Sequence, residues 1–435
     1  MGEPDTGGTP ARDTTGTGTR TETETAPANR SYREVLRNRR VAALLTGDLL
    51  SHVGTGMIIV AMPVQTLDIH GSVPPAIAIS VVETAPFVLS TVLALGMGLG
   101  RLRVPPRVLL LADCLLRSAV FVTLAVLSVN GDLTLPVLVA GLLFGSVFRL
   151  VGSSARRLLA TSMVGEEDLF AVNGLLGVNS NFALYVVGPA VGGLAVVAWG
   201  PGAVLLFDAI GSLLLSAVVL LWVPGQPPEE RRTEEDDTQS GWRILRRRPQ
   251  TARLFAVVFF FNFFYMPVEI ALPLLVRGPL DSNGAGLGAL WGAFGVGALL
   301  GAVVTNYTRR VREHTLLIAI IALWALCPLA LAISGDLAVA VLVFALGGLV
   351  WAPFTPVVFS FVQSALRPDE QQPVVTLWVA GSTLAAPLGL AAGGPLIEYV
   401  GTRGGLALSG LLTLLLVPLA GVGLLASKRK DAAGA

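Results

Sequence analysis

A dozen apolar stretches, each about long enough to cross a bilayer and divided by short polar turns, run through this chain and fix lipid as its solvent. A helix rising about 1.5 Å per residue needs roughly 20 apolar residues to cross a hydrocarbon core about 30 Å thick. The run VAALLTGDLLSHVGTGMIIVAMPVQT (41–66) is the first to meet that length. The others fall near 73–98, 107–129, 133–155, 171–198, 202–223, 254–276, 285–306, 313–334, 337–364, 374–397 and 404–426. Only 14% of residues are charged and 53% are hydrophobic, against roughly 25% charged in a soluble globular chain. The expected fold is an all-α integral membrane protein of twelve transmembrane helices.

The net charge of +1 hides a strong segregation of charge. With the N-terminus in the cytoplasm, every Lys and Arg outside the spans falls in a cytoplasmic segment except Arg277 and Arg403, while Arg117 and Arg149 lie within spans. The opposite orientation breaks the positive-inside rule in nearly every loop. Both termini are therefore expected in the cytoplasm.

The longest polar interruption, PGQPPEERRTEEDDTQSGWRILRRRPQ (224–250), separates six spans from six. The expected organisation is a tail and short basic segment at 1–40, a six-helix bundle at 41–223, a linker at 224–253, a second bundle at 254–426 and a tail at 427–435. Residues 1 to about 30 are rich in Thr, Gly, Pro and Glu and bury too little apolar surface to offset chain entropy, so disorder is expected there. No cleavable signal is expected, because the first apolar run starts near 41 and is too long for an h-region. Within the linker, GWRILRRR reads as a basic amphipathic helix for the anionic inner leaflet, with a partner surface as the alternative.

The halves resemble each other. GPAVGG (188–193) and GLAAGG (389–394) keep the same offset as Gly200 and Gly401 and as Asp168 and Asp369, and AMPV (61–64) pairs with ALPL (271–274). Such internal repeats are common in transporters.

Ionisable groups inside spans are costly and mark sites by default. Asp48, Glu83, Asp113, Arg117, Arg149, Asp208 and Glu269 qualify. Asp113 and Arg117, at i and i+4, suit an ion pair. Asp48 has His52 one turn along and Thr55 close by; it reads either as a proton carrier or as an acid held by Arg149 or Arg117. Glu83 and Glu269 fall near mid-bilayer, too deep for short side chains to snorkel, and suit a proton or a cationic substrate. Asp208 reads as a cap or interhelix hydrogen bond. Cys114 and Cys327 read as small core residues, and His52, His70 and His314 lack metal-ligand spacing. No metal or cofactor is expected, no Walker loop supplies ATP drive, and no nucleophilic constellation points to an enzyme.

Several strings carry a family resemblance: LRNRRVAALLTGDLLS, LLLADCLLR (109–117), SSARRLLATSMVGEEDLFAVNGL (153–175), GPAVGG, LLFDAIGSLLLSA (205–217), GAFGVGALLGA (292–302) and RPDEQQ (367–372). On these, residues 32–426 resemble the major facilitator superfamily, within it the bacterial drug and siderophore exporters of the macrolide-efflux and enterobactin-exporter type. The resemblance implies two six-helix bundles in a bacterial inner membrane. It implies proton-coupled export of a hydrophobic or amphiphilic small molecule (antibiotic, siderophore or other metabolite) by alternating access. The string Gly188, Pro189, Gly192, Gly193 resembles the span-five motif of exporters. Arg156 and Arg157 look like the family's pair in the second hairpin. The first hairpin, MGLGRLRVPPR (97–107), has Arg101 where the family has Asp, so that pair is expected to turn to Glu166, Glu167 or Asp168. Spans one, four, seven and ten line the cavity in this fold, which implies Asp48, His52, Arg149, Asn262, Tyr265, Glu269, Trp351 and Gln363 as lining. Expected partners are the small-molecule substrate, protons and membrane lipids, with no nucleic acid, and a monomer is expected to suffice. A lipid or lysolipid transporter, or a non-transporting receptor or immunity protein on the same fold, are the alternatives.

The charge pattern predicts that reporter fusions at Asp132, Gly200 and Gly335 read external and those at Gln239 and after Lys430 internal. An external signal at Gln239 would overturn the map.

Overall fold

The computed structural model describes residues 32–98, 104–223, 241–307 and 311–421. The N-terminal tail, Leu99 and Arg101 of the first hairpin, the acidic part of the linker and the C-terminal tail lie outside the described residues. Among the described residues, twelve helices are long and apolar enough to cross a membrane. They are α1 (Arg39–Ile69), α2 (Pro75–Ala94), α3 (Pro106–Asn130), α4 (Leu135–Ser162), α5 (Ala171–Trp199), α6 (Pro201–Trp222), α7 (Pro249–Arg277), α8 (Gly284–Thr305), α9 (Glu313–Ile333), α10 (Leu337–Val362), α11 (Pro373–Val400) and α12 (Thr402–Gly421). No strand occurs among the described residues.

Local chemistry sets the helix ends. Pro106 starts α3, where its missing N–H is no loss, and Gly131 closes it in a left-handed conformation at φ 79°. The carboxylate of Asp336 accepts from the N–H groups of Ala338 and Val339 at the start of α10. Gly200 and Gly401 join α5 to α6 and α11 to α12 with nearly the same backbone, φ 79° with ψ 166° and 163°. That region is open essentially to glycine alone, so the repeat seen in sequence is a repeat of conformation.

Three spans are irregular. α4 breaks between Gly145 and Arg149, α10 breaks between Trp351 and Phe354, and α5 holds a π-helical turn at Ala183–Val187 just before Gly188 and Pro189. Such breaks need a specific cause and often mark functional sites.

Packing within the first six spans recurs six spans later: α1 on α5 and α6, α3 on α4 and α6, α2 on α4, then α7 on α11 and α12, α9 on α10 and α12, α8 on α10. Two matching seams, α5 with α8 and α11 with α2, join the halves. A side chain at Gly192 would lie 2.6 Å from the Cα of Met57 on α1, and one at Gly193 would lie 2.7 Å from the Gly284 carbonyl on α8. Their counterparts behave alike: Gly393 meets Pro267 and Ile270 on α7, and Gly394 meets Ala76 and Ser80 on α2. The first glycine of each pair thus packs its own half, and the second admits the other half.

Both seams lie in the half of the bundle away from the face where Arg39 enters. There the Ser80 hydroxyl donates to the Leu390 carbonyl (2.7 Å), and Arg277 pairs with Asp68 (2.8 Å) across the halves. On the entry face, Gly241–Arg247 forms a short helix that buries Ile244 and Leu245 and exposes Trp242. Arg248 after it grips Glu370 with two nitrogens, Nη2 at 2.6 Å and Nε at 3.1 Å.

Gly192→Leu should overpack its own half and lower stability by about 1–3 kcal/mol. Gly193→Leu should instead force the far seam open, lengthening the distance between spin labels at Asp132 and Gly335; an unchanged distance would remove Gly193 from that seam.

Candidate functional site

The charged groups within the spans sort into three places. In the core of the first half, Arg117 on α3 donates to Thr55 (3.1 Å), Ser51 (2.9 Å) and Ser212, and its Nε lies 3.6 Å from the carboxylate of Asp208. Asp208 also accepts from the Thr55 hydroxyl at 3.0 Å. The expected Asp113–Arg117 pair is corrected: the guanidinium reaches across to α6, where a fully buried carboxylate needs a cation, and the Asp113 carboxylate packs against Gly152 of α4.

Nearer the entry face, Asp48 is fully buried and pairs with Arg156 at 2.9 Å. His52 lies on the same groups, with Nδ1 3.2 Å from the Asp48 carboxylate and 3.0 Å from the Arg156 guanidinium. Two expectations change here. Arg156 turns inward to α1 rather than to Glu166, Glu167 or Asp168, and neither Arg149 nor Arg117 is the partner of Asp48. A buried carboxylate attracts the cation whose arm reaches it without leaving protein. Arg157 stays exposed on the surface.

The third place is the centre, between the halves. Glu83 of α2, Arg149 of α4 and Glu269 of α7 act on one another electrostatically, with Tyr185 of α5 and Tyr265 of α7 as further neighbours. The Arg149 guanidinium sits over the Phe87 ring, 4.5 Å from its centroid, a cation–π contact that holds the charge beside the cleft. Each of these groups stands at or beside an irregularity: Glu83 three residues before Pro86, Arg149 where α4 resumes, Tyr185 in the π turn, and Glu269 between Pro267 and Pro273. Gly295 of α8 packs on the Tyr185 carbonyl with no room for a side chain, which pins that turn across the seam.

Asn262 and Trp351 line a separate cleft of about 300 Å³ among α7, α10 and α11, on the entry side of the seams. Gln363 lies one residue beyond α10, on the helical turn that continues to Ala365, and its side chain lies outside the described ones. Cys114 and Cys327 are buried free thiols. Among the described residues no group of three or more His, Cys, Asp or Glu could hold a metal ion. Sequence reasoning missed Tyr185, Phe87 and Trp378. A lone tyrosine three residues before GPAVGG was the available signal for the first; the other two carry none beyond being aromatic.

Twelve apolar helices, glycine seams repeated between halves and a polar centre on the seam define a multi-pass membrane transporter of the major facilitator class, not an enzyme. Within it, residues 33–425 match the model of the family described as transmembrane secretion effector, and the chain belongs to that family. The multidrug efflux pump Tap of Mycolicibacterium fortuitum is 29% identical over 377 residues, 82% of this chain and 89% of that protein. Macrolide efflux protein A of Streptococcus pyogenes is 24% identical over 239 residues, 53% of this chain and 58% of that protein. Among solved structures, the nucleoside transporter NupG superposes with TM-score 0.68 at 12% identity, over 88% of this chain and 96% of that one. A bacterial homolog of the human lysosomal transporter Spinster superposes with TM-score 0.62 at 12% identity, over 90% and 95%. At these identities the structures establish the fold alone.

Removing one partner of a buried pair strands the other charge, at a cost of about 3–5 kcal/mol. Asp48→Asn and Arg156→Gln should each lower the thermal stability of the purified protein sharply, and the double variant should recover most of the loss. Additive losses would show that the two groups are not a pair.

Proposed function

We propose that the chain exports a hydrophobic or amphiphilic small molecule, an antibiotic, siderophore or other metabolite, in exchange for protons. The observation that carries this reading is that Glu83 and Glu269, one from each half, lie near enough to act electrostatically on each other and on the guanidinium of Arg149. Two carboxylic acids stand against one Arg149, so when both are ionised one negative charge is left for a proton or a bound cation to neutralise. A proton or a substrate cation neutralises it equally well, so the two compete for one place, and competition at an alternately exposed site is exchange. Asp48, already paired with Arg156, holds α4 to α1 and is not the exchanging acid.

The seams give the direction of access. With the basic entry face in the cytoplasm, as the positive-inside rule requires, both seams lie in the outer half of the bundle, which supports access to the centre from the cytoplasmic side in this conformer. The bundles 41–223 and 254–426 then rock about the seams, the linker 224–253 lets them move, and one copy contains every group the cycle needs. The two named efflux relatives, a multidrug efflux pump and a macrolide efflux protein, support export of a small molecule.

Glu269→Gln and Glu83→Gln keep shape and remove titration. In proteoliposomes, substrate accumulation driven by an imposed pH difference should fall at least tenfold in one of the single variants and vanish in the double, with insertion unchanged. Full accumulation in the double variant would sink proton coupling through these acids.

A further inference from the structure

The cleft among α7, α10 and α11 differs in chemistry from the charged centre. Among the described residues no ionisable side chain lines it. Its walls are aromatic and already fixed. Trp351 rests on Tyr265 and Phe294, with ring centroids at 6.4 Å and 5.9 Å; Phe354 stacks on Phe261 at 4.0 Å; Phe359 meets Trp378 at 6.1 Å. Trp351 and Thr355, on either side of the break in α10, face the same space. Polar atoms punctuate the rim: the Asn262 amide nitrogen donates to the Val258 carbonyl (2.9 Å), which leaves its oxygen for a ligand, and the hydroxyls of Thr355 and Ser382 stand beside it.

Resting on the transport reading above, we infer that this cleft is a second substrate subsite, which takes an uncharged, flat, ring-bearing part of the substrate with hydrogen-bond donors on its rim. A charge buried there has nothing to compensate it. A saturated acyl chain would strip water from Asn262, Thr355 and Ser382 without replacing it. A planar ring system with N–H or O–H groups satisfies both walls and rim, and the pinned rings spare it the entropy of ordering the site. At about 300 Å³ the cleft lies at the small end of the range for drug-sized ligands, so it holds a few fused rings and not a macrocycle. Asn262 and Glu269 are seven residues apart on one helix, about 10 Å along its axis. A substrate with an aromatic body and an amine at that separation reaches both subsites.

Acridone and a C-linked aminohexyl acridone share one neutral ring system with N–H and C=O groups, the second carrying an ammonium at the end of a flexible six-carbon chain that can reach from the cleft toward Glu269. Their binding to the full-length protein in lipid nanodiscs is followed by fluorescence anisotropy. Both should bind, Trp378→Ala should weaken both about tenfold, Trp378→Phe should retain most of the affinity, and Ser382→Trp, which fills the cleft, should abolish both. Glu269→Gln should leave acridone unchanged and remove the preference for the cation. Wild-type acridone binding in Ser382→Trp, no acridone binding at all, or a loss in Glu269→Gln as large as in Trp378→Ala would each overturn the separate subsite. If the aminohexyl acridone gains nothing over acridone while the Trp378 and Ser382 effects hold, the subsite stands and the carboxylate reading falls.

Discussion

Close approach of backbones at glycine is the constraint on which the rest of the structure depends. Lipid tails are as apolar as the helices, so helix association in a membrane draws on van der Waals packing and on hydrogen bonds. Gly192 and Gly193 spend one contact inside a half and one across the seam, and Gly393 and Gly394 do the same. Because both seams close together, α2 and α7 come near enough for Glu83 and Glu269 to act on each other. The polar centre follows from the packing of residues that carry no polar side chain.

Compensation sorts the buried charges into structural and functional ones. Asp48 has Arg156 and His52, and Asp208 has Arg117 with hydroxyl help from Thr55. These pairs tie α1 to α4 and α3 to α6, and in low dielectric each partner is needed by the other. The central group is different, with two acids against one Arg149. A site that is one cation short binds a cation or a proton, and that shortage is the chemical basis of the exchange proposed here.

The helix irregularities stand at these sites. A regular α-helix turns side chains by fixed steps; the break in α4 and the π turn in α5 fall at Arg149 and Tyr185 of the centre, and the break in α10 falls at the separate cleft lined by Trp351 and Thr355. Backbone groups freed at such breaks are tolerable in a membrane where they lie against protein or a polar cavity.

Hydropathy by itself determined the twelve spans, because a segment that must satisfy every backbone group in lipid has no choice but a long helix. The offset between GPAVGG and GLAAGG likewise announced the repeat, since glycine spacing records helix contact directly. The acids Glu83 and Glu269 stood out for the same reason that any charge in hydrocarbon does. Which charges meet was beyond the sequence: Asp113 sits one turn from Arg117 on its own helix, yet Arg117 reaches Asp208 on α6, and Arg156 passes over nearby acids for Asp48 on α1. Tyr185, Phe87 and Trp378 were equally hidden. Pairing across helices depends on where the glycine seams set each rotation and depth, a quantity that local periodicity does not encode and that only the packed bundle decides.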